Sequence, residues 1–215
     1  MKIKKIEFFI AGISRFLGSI ALSLVISLGT ANAANIFYYT SSPESYVGHG
    51  ETFLVTDADG FGFKNFGYTT TDSVYVIGFS INDFLTNPNI FGTKWWDVAF
   101  SQVGTPLTVG FYDNVERDGS TTSPGLSFSG NGAGNSSLTG FFNILEITYK
   151  ANGSINSFAA DFTQYDDGNT EWWNVGSIRY NSDIAVTLVP EPTQSLLMIL
   201  GLVLVTLVAR KRTHI

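Results

Sequence analysis

Between residues 34 and 189 no segment keeps apolar side chains at the 3.6-residue spacing of a helix. Apolar and polar residues instead alternate over short runs, and Gly, Asn, Asp and Ser punctuate them. Successive side chains of a strand point to opposite faces, so such runs bury their apolar halves on sheet faces. Strands are expected near 36–40, 52–56, 74–81, 95–102, 107–112, 125–129, 138–150, 154–164, 172–180 and 183–188, with one helical turn at Asn82–Leu85. Abundant glycine (22) and aromatics (Phe 18, Tyr 9, Trp 4) suit tightly turned sheets. Two stacked sheets satisfy every apolar face, so the expected fold is all-β, a jelly-roll-like antiparallel β-sandwich over 34–188. A body of this size buries about two-thirds of its unfolded surface.

One hairpin can be read in register. Asn152-Gly153 between two β-rich runs is a strong signal for a two-residue type I′ turn. That turn sets Ile147 against Phe158, Leu145 against Ala160 and Tyr149 against Asn156 on a mainly apolar face. Thr148 then meets Ser157, Glu146 meets Ala159 and Ile144 meets Asp161 on a mainly polar one. Strand 74–81 sorts likewise, with Tyr75, Ile77, Phe79 and Ile81 on one side. Ser127–Ser137, with Gly130, Gly132 and Gly134, reads as a flexible loop too degenerate to cradle phosphate.

The two ends carry addresses. Residues 1–33 have a basic start (Lys2, Lys4, Lys5, Arg15), an uncharged stretch from Phe16 to Leu28, and Ala31-Asn32-Ala33. That is the pattern of a secretory signal helix, with signal peptidase cutting between Ala33 and Ala34. At the other end Val189-Pro190-Glu191-Pro192 precedes an uncharged segment from Thr193 to Ala209, and then Arg210-Lys211-Arg212. As a helix, 193–209 would span about 25 Å, just short of the roughly 30 Å hydrocarbon core. The basic tail 210–215 then stays inside and the body lies across the membrane.

The tripartite tail 189–215 resembles the PEP-CTERM sorting signal of exported bacterial proteins. The resemblance implies that a membrane-embedded exosortase recognises Pro190-Glu191-Pro192, removes the transmembrane helix and passes the body outward. Its members typically belong to bacteria that make exopolysaccharide, and many reach the cell surface or extracellular matrix. It implies nothing about the body, because the signal is attached to many unrelated domains. Three stretches of the body, Leu138–Glu146, Ser157–Phe162 and Gly176–Ser182, resemble a β-domain recurrent in secreted bacterial proteins, to which no activity is assigned.

Without the two ends the charge changes. They hold seven of the 12 basic residues and two of the 18 acids, leaving five against 16, a net charge of −11 on the body. Such a surface repels nucleic acid and attracts cations. With no cysteine there are no disulfides, thiolate metal sites or cysteine nucleophiles. His49, in Gly48-His49-Gly50, is the body's only histidine, and no Gly-x-Ser-x-Gly is present.

The remaining candidates are few. In Trp95-Trp96 neighbouring side chains point to opposite faces; Trp96 shares a row with Val98 and Phe100, and Trp95 shares one with Asp97 and Ser101. An outward Trp95 beside Asp97 is a candidate sugar platform, the indole meeting C–H faces and the acid bonding hydroxyls. At Trp172-Trp173 the rows are mixed. Glu146 and Asp161 are diagonal neighbours, about 7–8 Å apart, able in principle to act as an acid/base pair on a glycoside or to hold a cation. Neutralisation by Lys150 or Arg179 is the commoner fate of such acids. Asp57-Ala58-Asp59-Gly60 begins like a calcium loop, but Phe61 and Tyr68 stand where oxygen ligands are required. Acidic turns at Asp113–Gly119 and Asp166-Asp167-Gly168 leave calcium as an alternative cofactor. The expectation is therefore a non-enzymatic exported protein of the surface or extracellular matrix, needing no cofactor and in contact with extracellular polysaccharide. The alternatives are a carbohydrate-active enzyme using Glu146 and Asp161, and a calcium-stabilised structural module.

Overall fold

The computed structural model describes residues 33–84, 86, 93–120 and 122–187. The expected signal helix with Ala31, the expected sorting signal 189–215 and Leu85 lie outside the described residues. Eleven strands form two sheets: β1 (Ala34–Ser41), β2 (Thr52–Thr56), β3 (Gly62–Thr69), β4 (Val74–Asn82), β5 (Trp95–Val103), β6 (Gly110–Asp113), β7 (Glu116–Arg117), β8 (Gly125–Gly130), β9 (Leu138–Tyr149), β10 (Ile155–Asp166) and β11 (Trp173–Ser182). The first sheet runs β2-β1-β11-β10-β9-β6 and the second β3-β4-β5-β8-β7, antiparallel except where β7 meets β8. Among the described residues no helix is long and apolar enough to cross a membrane.

Aromatic side chains join the sheets face to face. Phe79 of β4 meets Phe158 of β10 with ring centroids 4.9 Å apart, and Phe100 of β5 meets Phe142 of β9 at 5.0 Å. The alternating row Trp96, Val98 and Phe100 is fully buried, and Trp96 stacks on Phe53 at 4.0 Å. Each large ring buried this way contributes roughly 1.5–3 kcal/mol of transfer free energy.

Tyr39 lies in the same cluster, and its hydroxyl donates to Glu51 Oε2 at 3.2 Å. Burial, and then the negative charge of Glu51, push its phenol well above the ordinary value. The folded protein keeps a proton that the unfolded chain releases near pH 10. This contribution is therefore complete below about pH 10 and is lost as pH rises beyond it. Urea unfolding at pH 8 and pH 11 is expected to show an alkaline loss of stability that is smaller in Tyr39→Phe.

The β9–β10 hairpin differs from the two-residue turn its sequence suggests. Lys150 N–H bonds Ser154 O and Gly153 N–H bonds Lys150 O, so three residues, Ala151 to Gly153, form the loop. Gly153 has a positive φ of 81° while Asn152 does not, which is the bulged loop rather than type I′. Asn152 instead accepts bonds from the Ser154 N–H and hydroxyl through its side chain. Two bulges on opposite strands then correct the register. Thr148–Ser157, Ile147–Phe158 and Glu146–Ala159 face each other as expected, but Tyr149 pairs with Ile155 and leaves Asn156 out. Leu145 bulges as well, so Ala160 faces Ile144 and Asp161 faces Asn143. That slip turns Ile144 into the core, fully buried, while Ile147 still packs against it. A bulge is the only way both can face inward on one strand.

Other segments depart from expectation: no expected strand covers β3 or β7, and the strand expected at 107–112 is β6, Gly110–Asp113. The expected strand at 183–188 is irregular over 183–187. Positions 127–130 belong to β8, and Asn131 (φ 51°) and Gly132 (φ 87°) close a tight turn that returns two bonds between Gly130 and Ala133. The expected helical turn is a simple turn, Thr86 N–H bonding Asp83 O at 3.0 Å.

Candidate functional site

That Asn131-Gly132 turn builds one wall of a hollow on the outer face of the second sheet. Asn131 N–H bonds Trp95 O and Trp95 N–H bonds Asn131 Oδ1, both at 3.0 Å, fixing the start of β5 against the turn. The Trp95 indole, half-buried, stands beside Ser127 and Ser129 of β8, Asn135, Ser136 and the rim residue Arg117. The space they enclose is about 370 Å³. Asp97 is next along the same row, half-buried and opposite Ser129, but it does not line the hollow. An indole face ringed by hydroxyls and an amide can take a sugar C–H face and bond its hydroxyls. The serines and Asn135 were not singled out from sequence, because their segment reads as low complexity. At the other pair, Trp172 and Trp173 are both half-buried.

The two carboxylates of the β9–β10 hairpin keep separate company. Glu146 accepts from the hydroxyls of Ser157 and Ser182. Asp161 accepts from Ser177 Oγ at 2.7 Å and pairs with Arg179 Nη2 at 2.8 Å. The Leu145 bulge sets one more β9 residue between them than a regular ladder has.

Arg179 is fully buried, and each of its five N–H groups finds an acceptor. Nε bonds Ile184 O, Nη1 bonds Ala160 O and Ile178 O, and Nη2 bonds Asp161 and Ala185 O. The guanidinium thus holds residues 183–187 against the sheet as a strap.

No match is found among family models, curated proteins or solved structures.

The acidic turn at 166 has an unexpected interior. Asp166 is fully buried, and six donors surround its carboxylate. Asn135, Gln164 and Asn174 amides reach Oδ1 at 2.6, 3.2 and 2.8 Å. Ser45 Oγ and the N–H groups of Tyr46 and Val47 reach Oδ2 at 2.8, 2.8 and 3.3 Å. Both oxygens are thereby committed to donors, which ties the 42–51 loop to β10, β11 and the 131–137 segment. Asp57-Ala58-Asp59 forms a single 3-10 turn. Thr56 donates twice to Asp59, holding that carboxyl below its ordinary range. His49 is exposed at φ 50°, in edge contact with Tyr46. Among the described residues no three His, Asp or Glu side chains gather as a metal site.

Proposed function

We propose that this chain is an exported, exosortase-sorted protein of the cell surface or extracellular matrix, whose sandwich binds or builds rather than catalyses. The observation that carries the reading is the tail: Pro190-Glu191-Pro192, an uncharged 193–209 and Arg210-Lys211-Arg212. Support comes from its placement, since the last strand ends at Ser182 and the strap at 183–187 leads straight to Val189. A folded body is thus followed at once by the processing motif, as a detachable anchor requires. Signal peptidase would cut between Ala33 and Ala34.

The test is the sequence of the mature protein. In a host with an exosortase, mass spectrometry should find the product beginning near Ala34 and lacking 193–209. Replacing Pro190, Glu191 and Pro192 by alanine should leave the helix attached and the protein in the inner membrane. A mature wild-type product that retains Leu196–Ala209 overturns the reading.

The finer part of the reading places extracellular polysaccharide on Trp95. The hollow's indole, serines and Asn135 support it, together with a body charge that disfavours anionic polymers. Retention on a matrix preparation from the host should fall at least tenfold in Trp95→Ala. Equal retention of both forms, or none of either, removes the polysaccharide.

A further inference from the structure

The outer strand of the second sheet is β3, and among the described residues it pairs only with β4. Thr70 N–H bonds Val74 O, and from there the β3–β4 ladder runs to Gly62–Asn82 without a bulge. Antiparallel neighbours turn their N–H and C=O groups to the same side at alternate residues. Even-numbered residues of β3 therefore spend theirs on β4, whereas Phe63, Asn65, Gly67 and Thr69 turn theirs away from it. Asn65 to Thr69 form one wall of a groove of about 490 Å³, whose other wall includes Leu107, Tyr149 and Ile155. On the outer face Phe66 and Tyr68 are exposed at 38% and 58%. The strand has no proline, and its single charge is Lys64, in a body of net charge −11. An eight-residue edge with no proline, bulge or acidic residue has only Lys64 to blunt it.

We propose that β3 is a dimerisation edge, pairing antiparallel with β3 of a second copy of this chain, centred on Phe66. The backbone limits the register, because only pairings of odd with odd residues match the outward N–H and C=O groups. Centred on Phe66, Asn65 and Gly67 exchange both bonds with the second copy's Gly67 and Asn65. Phe66 then meets Phe66, and Lys64 lies over the Tyr68 ring, a cation–π pair. A centre at Asn65 sets Lys64 over Phe66 but leaves Tyr68 opposite Gly62, and a centre at Gly67 leaves Lys64 opposite Thr70; only the Phe66 centre pairs all three side chains. The occupant is another copy because the edge complements itself: its one cation meets an aromatic ring, and β3 itself carries no acid.

The chain contains no cysteine, so single cysteines report this register directly. Facing residues of a non-hydrogen-bonded pair have α-carbons about 4.5 Å apart, within disulfide reach. The full-length chain carrying Phe66→Cys should form disulfide dimers at least tenfold faster than one carrying Leu54→Cys, exposed on β2 at the edge of the other sheet. Lys64→Cys and Tyr68→Cys should cross-link with each other when mixed and neither with itself; this pair keeps Phe66 in place. Asn65→Pro added to Phe66→Cys should abolish cross-linking with the circular dichroism unchanged, since the N–H it removes points away from β4. Equal rates for Phe66→Cys and Leu54→Cys, self-cross-linking of Lys64→Cys, or dimers that survive Asn65→Pro would each overturn the proposal.

Discussion

Asp166→Ala is expected to lower the stability of the body 34–187 by about 3–5 kcal/mol, and Asp167→Ala by less than about 0.5 kcal/mol. The two acids are neighbours in an Asp-Asp-Gly turn, and only their surroundings separate them. Asp167 has a positive φ of 51° and accepts one long bond, 3.3 Å, from Ser137 Oγ. Asp166 is buried with six donors, three of them amide N–H groups from Asn135, Gln164 and Asn174. Removing the carboxylate takes the acceptor from one N–H of each amide, although Gln164 Nε2 keeps Phe128 O, and from two backbone N–H groups, and each buried orphan costs roughly 1–3 kcal/mol before relaxation or entering water offsets part of it. For a domain of this size the loss corresponds to a fall in melting temperature of roughly 10 °C. Asp166→Asn should recover little, because the new amide group would point donors at donors. Urea unfolding of the three variants decides the matter. If Asp166→Ala matches Asp167→Ala, the network holds nothing together.

The hub also shows where sequence stops being informative. The Asp166-Asp167-Gly168 turn is legible, but which acid turns inward depends on groups at 45–47, 135, 164 and 174, brought together only by the fold. Period-2 alternation, by contrast, is local. It separates Trp96, Val98 and Phe100 from Trp95 and Asp97 without any structure, and it sorts β4 correctly. β3 is not visible in the sequence because Phe63 points inward while Phe66 and Tyr68 point outward, with Gly62 and Gly67 between them. An edge strand does not need a clean apolar face. The Asn-Gly rule places the β9–β10 turn correctly and gives it the wrong type. Asn131 and Gly132 both take positive φ in the two-residue turn, whereas at 151–153 only the glycine does. Of the Trp95 hollow, the indole was legible from its row; Ser127, Ser129 and Asn135 were not, because a run of small polar residues looks the same in a strand and in a loose loop.

Residues 183–187 make the same point from the other side. Ile184 and Val186 alternate with polar neighbours and so imitate a strand, yet no ladder forms. Their carbonyls are met by a side chain instead. Arg179 Nε bonds Ile184 O at 3.0 Å and Nη2 bonds Ala185 O at 3.2 Å, while the remaining donors reach Ala160 O, Ile178 O and Asp161. A planar fork with five donors fits this set; an ammonium group with three donors at one point does not. Arg179→Lys is therefore expected to release the strap, and elastase should cut after Ala185 or Val186 at least tenfold faster than in the wild type. Arg179→Ala should go further and cost about 3–5 kcal/mol of overall stability, since Asp161 and the sheet carbonyls lose their partner as well. Asp161→Asn should cost no more than about 1 kcal/mol, because that side chain is 43% exposed and water replaces part of the pair. This ordering separates a buried clamp from a surface ion pair: if Asp161→Asn destabilises as much as Arg179→Ala, the charge pair and not the strap is what matters. Because the strap leads into Val189, the clamp also fixes where the folded body ends relative to Pro190-Glu191-Pro192. A freed strap would add about five extended residues, up to roughly 17 Å, between the sandwich and Pro190-Glu191-Pro192.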